Sequence, residues 1–351
     1  MHTGGNARQA SRPRRATIAD IARDLGVSTA TVSRALSGRG YVRDEMLGRI
    51  RARARELNYP LREEPAGSKV LLVASHAALL DLQRSQYTLH VLEGLRARAG
   101  DLGIEVEVLG YAHPAEIARL PARVPGRQGR SGLMGIILMT VDDDTIAQAR
   151  LLPCPVVLLN DDDPLMKLDS VAPCNRAAAA LAAGHLTALG HQRIAFLTKP
   201  GRRTIARRLE GVRDVLGPGL GPSHILEVDD WTAQAARARV ALALQDGPPF
   251  TAIVAAADIL AAGAIVAIRE SGRSVPGDIS VIGIDGLPQG EFLSPALSTI
   301  VIPMRKIGEE ALVLMQETAR RRATGEPFVP RKIELGCELV LRASTDVPEK
   351  G

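Results

Sequence analysis

From about residue 70 to residue 345, short apolar runs alternate with segments of helical period, and this alternation limits the fold more than any other feature of the chain. The strand-like runs are Val70–Ala74, Ile104–Leu109, Gly135–Thr140, Val156–Leu159, Arg193–Thr198, Thr251–Ala255 and Ile279–Ile284. Helical patterns such as Arg176–Leu189, Thr232–Gln245 and Asp258–Ser271 lie between them. Continuous apolar strands are covered on both faces, and helices between them supply the crossovers of a parallel sheet. The stretch exceeds one ordinary sheet unit, so we expect an α/β body of two parallel-sheet lobes.

Charge divides the chain near residue 60. Residues 1–60 hold 12 Arg and 5 acidic residues, a net of +7, whereas the remaining 291 residues hold 32 Lys and Arg and 34 acidic residues, a net of −2. A basic module on a near-neutral body suggests a polyanionic partner. Residues 1–16 carry Arg8, Arg12, Arg14 and Arg15 without periodicity and read as a disordered basic arm, either touching phosphates or solvated. No apolar run reaches the roughly 18–20 residues that span a bilayer, and the Arg-rich start has no apolar signal region. Cys154, Cys174 and Cys337 lack ligand spacing and read as reduced thiols. We therefore expect a cytoplasmic, nucleoid-associated protein without membrane contact, metal or cofactor. No catalytic constellation is present, so we expect no enzyme.

Residues 17–59 predict a small all-α head. Thr17 and Asp20 form a capping-box start, and Ile18, Ile21, Ala22 and Leu25 mark one buried face. Gly26 ends that helix, and Ser28 caps a second running from Thr29 to about Leu36. With Val32, Ala35 and Leu36 inward, Thr29, Ala30, Ser33 and Arg34 face outward. A third helix starts near Asp44. Two short helices joined by a glycine turn make a helix-turn-helix, and a small outward face fits a major groove. Arg34 can donate to a guanine or to a phosphate, and Thr29 and Ala30 can meet thymine methyls. The helix starts at Thr17 and Ser28 offer backbone donors to phosphates. A three-helix interaction domain with a solvated basic face is the competing reading.

The segment Thr17-Ile-Ala-Asp-Ile-Ala-Arg-Asp-Leu-Gly-Val-Ser-Thr-Ala-Thr-Val-Ser-Arg-Ala-Leu-Ser37, with Val42-Arg-Asp-Glu and Ala54-Arg-Glu-Leu-Asn-Tyr59, resembles the head-piece of the lactose-repressor (LacI/GalR) family. We also place Thr31 and Tyr41 among the DNA-contacting residues. In that family a hinge helix follows, whose leucine wedges into the minor groove. Here the linker 60–69 is shortened, with Pro65 and Gly67 opposing a helix and Glu63-Glu64 repelling phosphates. Leu61 is the lone candidate wedge.

The body resembles the family's effector domain, which is like a type I periplasmic sugar-binding protein. Matching stretches include His185-Leu-Thr-Ala-Leu-Gly-His-Gln-Arg-Ile-Ala-Phe196, Arg208-Leu-Glu-Gly211, Val275-Pro-Gly-Asp-Ile-Ser-Val-Ile-Gly-Ile-Asp285 and Pro295-Ala-Leu-Ser-Thr-Ile300. The resemblance implies an effector and dimerisation domain over 70–345, with a tail at 346–351. We expect an N lobe of about 70–161 and 292–324 and a C lobe of about 164–286 and 328–345, with crossings near 161–164, 286–292 and 324–328.

Ligands of such folds sit between the lobes at the carboxyl ends of strands. Ser75, Asn160, Asp161, Asp258 and Asp285 follow strand runs, and the resemblance adds Arg208 and Trp231, the latter as a stacking wall. Such a set suits a sugar or polyol. The chain departs from the family at Ala257, Cys174 and Ile284, and Ser85-Gln-Tyr-Thr88 replaces an Asn-Pro-Phe-Phe, so no particular sugar follows. The run Asp161-Asp162-Asp163 reads as a capping loop or as a preference for a cationic ligand. Together these imply a homodimeric transcriptional regulator, a repressor reading a pseudo-palindromic double-stranded operator under control of a small effector. The alternatives are a cytosolic solute-binding sensor and a sugar-processing enzyme with an added DNA-binding head.

Overall fold

Local rules set the head. In this computed structural model, which describes residues 16–37, 44–57, 59, 69–76, 79, 82–123, 132–245 and 250–348, helix α1 (Ile18–Leu25) opens on a reciprocal cap. Thr17 Oγ1 accepts from the Asp20 amide at 3.3 Å, and Asp20 Oδ2 accepts from the Thr17 amide at 2.9 Å. Gly26, at φ 65, stops the helix in the left-handed conformation. Helix α2 (Thr29–Ser37) starts where Ser28 Oγ accepts from the Thr31 amide at 3.0 Å. Helix α3 (Asp44–Glu56) completes a core of Ile21, Ala22, Val32, Ala35, Ile50 and Ala54.

The body contains two six-stranded sheets. The N-lobe sheet is built from β1 (Lys69–Ser75), β2 (Glu105–Tyr111), β3 (Leu133–Met139), β4 (Val156–Leu159), β5 (Asp169–Pro173) and β11 (Lys332–Leu335), in the order β11-β5-β4-β3-β1-β2 with every pair parallel. The C-lobe sheet takes β6 (Ile194–Thr198), β7 (Ile225–Glu227), β8 (Ala252–Ala255), β9 (Ser280–Asp285), β10 (Ser298–Val301) and β12 (Glu338–Val340), in the order β12-β10-β9-β8-β6-β7. Only β12 runs antiparallel to its neighbour. Central strands such as β1, β3, β8 and β9 are buried almost throughout, as their unbroken apolar sequences require.

The lobe limits differ from those expected. β5 and β11 lie in the N-lobe sheet and β10 lies in the C-lobe sheet. The chain therefore crosses near Cys174, between β10 and Met304, and near Gly336–Cys337, not near 161–164, 286–292 and 324–328. The acidic run Asp161–Asp163 is not a crossing, since it lies between β4 and β5 of one sheet. It forms a loop inside the N lobe, where Asp163 accepts from Arg150 Nε at 3.2 Å and from the Leu165 and Lys167 amides at 2.9 Å, and Asp162 accepts from Lys332 Nζ at 2.7 Å.

Two 21-residue helices, α4 (Leu82–Leu102) and α10 (Met304–Thr324), pack against each other with their backbones in close approach. Helix α5 (Asp143–Ala149) follows β3. In the C lobe lie α6 (Asn175–Ala188), α7 (Arg203–Leu216), α8 (Ala233–Ala243) and α9 (Asp258–Glu270). No helix among the described residues is long and apolar enough to cross a membrane.

The segment after β12 is stapled to the C lobe by polar groups. Ser344 Oγ donates to the Val281 carbonyl at 2.6 Å and accepts from the Ser298 amide at 2.8 Å. His191 Nε2 lies 2.9 Å from the Asp346 carbonyl, which can only accept, so Nε2 carries the proton and Nδ1 faces Thr251 Oγ1 at 2.9 Å. Burial holds the imidazole below its ordinary pKa. The unfolded chain then binds this proton more readily, so the histidine's contribution is complete above its unfolded pKa and declines as pH falls. Burial raises Asp161 to about 7, and this group acts in the opposite direction, stabilising the fold at low pH. The histidine is therefore isolated as a difference. The urea unfolding free energy of wild type minus that of His191→Gln is expected to shrink between neutrality and pH ~5, by up to about 1.4 kcal/mol per pH unit. A constant difference would contradict the assignment.

Candidate functional sites

Helix α2 presents Thr29, Ala30, Ser33 and Arg34 as exposed side chains, with Val32 and Ala35 buried beneath. Thr31 is half-buried, and its hydroxyl lies 2.8 Å from Ser28 Oγ. Thr17 Oγ1 donates to Asp20 at 2.7 Å, so the hydroxyls of Thr17 and Ser28 serve the caps while both remain exposed at helix starts. Arg34 Nε donates to the Ala30 carbonyl at 3.2 Å, one turn back along the helix. Arg53 on α3 binds Glu56 at 2.7 Å and Asp24 at 2.8 Å, and these carboxylates hold it protonated above its usual range. That arginine braces the head. Tyr41 and Leu61 lie outside the described residues, as does most of the linker.

The second site is a cavity of about 110 Å³ between the lobes. The N lobe supplies Gln86, Tyr87 and Thr88 from the first turns of α4, with Thr140 and Asn160 from the ends of β3 and β4. The C lobe supplies Arg202, Arg208, Trp231, Asp285 and Leu287 among others. Thr140 and Asn160 follow adjacent parallel strands at φ 49 and φ 56, and Asn160 Nδ2 donates to Thr140 Oγ1 at 3.3 Å. A β-branched residue in the left-handed region is strained, and such strain gathers at ligand sites.

Arg208 crosses the floor of the cavity, only 5% exposed. Its Nε donates to Asn175 Oδ1 at 2.8 Å, its Nη1 donates to the Ala256 carbonyl, and the same nitrogen lies 3.6 Å from Asp285 Oδ1. Burial raises the Asp285 pKa and Arg208 opposes the rise. In the same lobe the Arg202 guanidinium sits 5.6 Å from the Trp231 ring centre. At the rim Arg203 grips Asp143 through two bonds of 2.8 and 3.0 Å, and Arg207 reaches Asp162 at 3.5 Å. Both pairs join the C lobe to the N lobe.

The cavity thus brings together Asn160, Arg208, Trp231 and Asp285 of the seven effector residues expected. Ser75, Asp161 and Asp258 do not line it. Asp258 is buried, with Oδ1 accepting from Thr299 Oγ1 at 2.6 Å and Oδ2 from the Leu287 amide at 2.8 Å. It fixes the turn where β9 ends at Asp285 and the chain carries Leu287 into the cavity. Gln86, Tyr87, Thr88, Thr140 and Arg202 were not foreseen. The signal for the first three was present in the replacement of the family's pattern at residues 85–88.

A helix-turn-helix with a groove-sized face, carried on a two-lobed body with an interlobe cavity, defines a ligand-responsive DNA-binding regulator. Residues 17–60 match the bacterial regulatory proteins of the lacI family, and residues 183–345 match a periplasmic binding protein-like domain. The chain is 31% identical over 341 residues to the lactose operon repressor of Escherichia coli (strain K12), across 95% of this chain and 91% of that protein. It is 29% identical over 336 residues to the HTH-type transcriptional repressor CytR of the same strain, across 94% of this chain and 96% of that protein. A solved lac repressor dimer bound to operator and the anti-inducer ONPF matches with a TM-score of 0.69 and 27% identity, covering 95% of this chain and all of that one. The chain belongs to the LacI family of bacterial transcriptional regulators.

Proposed function

We propose that this chain is a cytoplasmic, dimeric repressor that reads a pseudo-palindromic operator through α2 and changes its grip when a sugar-like effector binds between the lobes. One observation supports the reading most: a single chain carries both the exposed Thr29, Ala30, Ser33, Arg34 face and the interlobe cavity of Asn160, Arg208, Trp231 and Asp285. A solute-binding protein has no use for the first. Arg208 and Asp285 neutralise each other, and Asp258 is engaged in holding a loop. Thr17, Ser28 and Thr31 act through helix starts and phosphates, and Thr29, Ala30, Ser33 and Arg34 through the groove.

The test is operator binding across a salt series, with the operator selected from a random-duplex library. Affinity is expected to fall linearly on log–log axes with a steep negative slope. Arg34→Ala is expected to cost about 1–3 kcal/mol at one base position and to relax preference there. A flat salt response, or unchanged sequence preference in Arg34→Ala, contradicts the proposal.

A further inference from the structure

The start of α7 is an unfavourable place for cations. A helix start carries partial positive charge and favours acids. Yet α7 has Arg202 at its cap position and Arg203 first in the helix, with no side-chain cap and no acidic residue in the first turn. Arg207 stands one turn further on, at i, i+4 from Arg203, so both face the same way.

The compensating carboxylates come from the other lobe. Arg203 grips Asp143 through two bonds of 2.8 and 3.0 Å, and Arg207 Nη2 lies 3.5 Å from Asp162 Oδ2. Asp143 begins α5 after β3, and Asp162 lies in the loop after β4, so the two acids stand beyond the carboxyl ends of adjacent N-lobe strands. Three of the four partners are placed within their own lobe. Lys332 Nζ holds Asp162 at 2.7 Å, and Glu210 holds Arg207 at 3.1 Å. Asp143 occupies a first helical turn, where a carboxylate is favourable. Arg203 is the exception, a cation at a positive helix end whose two-pronged carboxylate partner lies across the mouth of the cavity.

We infer that Arg203–Asp143 and Arg207–Asp162 form an ionic latch that holds the two lobes together across the cavity mouth without any ligand. The charges at these four residues, and the ionic strength around them, then set how much of the protein is open. The latch itself stands on these contacts. Its effect on operator binding rests on the proposed coupling of the cavity to α2.

Trp231 supplies the probe. It is the chain's one tryptophan, it lines the cavity and it is 9% exposed, so quenching of its emission by neutral acrylamide reports opening. In the full chain the quenching constant is expected to rise as salt goes from ~0.05 to ~0.5 M, because partly exposed charges are screened. A variant with Arg203→Gln and Arg207→Gln is expected to quench fast at both salt concentrations. At low salt Arg203→Glu is expected to raise the constant about two- to fivefold. Adding Asp143→Arg to it is expected to cancel most of that rise, because the exchanged charges pair again. A side chain that merely supports the fold behaves differently. Arg203→Glu puts an acid where a helix start favours one, so its urea midpoint is expected to be no lower than that of wild type. Quenching that ignores salt and charge, substitutions that add instead of cancelling, or earlier unfolding of Arg203→Glu overturns the inference. At fixed salt, operator affinity is expected to move with the quenching constant across the variants. Quenching that moves as expected beside a constant operator affinity upholds the latch and overturns the coupling on which the proposed function rests.

Discussion

Arg208→Leu is expected to destabilise the body by about 3–5 kcal/mol near neutral pH, the range for removing one partner of a buried ion pair. The guanidinium joins Asn175 at the first lobe crossing to the Ala256 carbonyl and to Asp285 at the end of β9. Its loss leaves the Asp285 carboxyl buried beside Asp258 with no cation. That carboxyl is already raised by burial, and without Arg208 it rises further. An acid whose folded pKa is raised favours the fold when protonated and loses that contribution as pH rises through the folded value. The deficit of Arg208→Leu should therefore be largest at alkaline pH and shrink towards pH ~5. Adding Asp285→Asn should recover part of it, since the two changes share one interaction. Urea titrations of the two single variants and the double variant across pH check this; additive, pH-independent effects would count against it.

Gly308→Val is the second large effect, at about 3 kcal/mol. A Cβ at Gly308 would fall on the Val91 backbone, and reciprocally a Cβ at Gly94 would fall on the backbone of Arg305. Backbone cannot rotate away as a side chain does, so α4 and α10 must part. Gly100→Ala on the same helix α4 has nothing within 4 Å and serves as the control. It is expected to stabilise by about 0.5–1 kcal/mol by removing helix-interior glycine freedom. Opposite signs in one denaturation series locate the effect in packing. A loss in both variants would instead indicate a general intolerance of α4 and α10 to substitution.

The parts of this fold that a sequence reveals are those where burial forces a pattern. β1, β3, β4, β6, β8 and β9 are central strands covered on both faces, and each stands out as an apolar run. β5 reads Asp-Ser-Val-Ala-Pro, and β11 and β12 are half-exposed at or near sheet edges, so neither hydrophobicity nor alternation marks them. β5 sets the first lobe crossing, the short strand β10 the second, and β11 with β12 the third. The same logic holds for the cavity. Asn160, Arg208 and Asp285 were accessible because ligand positions follow strands or carry the Arg-x-x-Gly pattern. Asp258 has the same address, yet both of its oxygens are engaged in bracing a loop, which only coordinates disclose. Gln86 and Tyr87 sit in the first turns of a helix, a place where polar residues are ordinary, and only their unpaired buried atoms distinguish them.

The central claim is that occupancy of the interlobe cavity and operator binding by α2 are coupled. Linkage makes this testable in both directions: a ligand that changes operator affinity by some factor must have its own affinity changed by operator by the same factor. The measurement is the dissociation constant of an active effector, found by a thermal-shift screen of metabolites, with and without saturating operator, beside the operator constant with and without that effector. Equal factors in wild type, both collapsing towards one in Asp285→Ala, are the expected result. Operator affinity that does not change when the cavity is saturated would contradict the account.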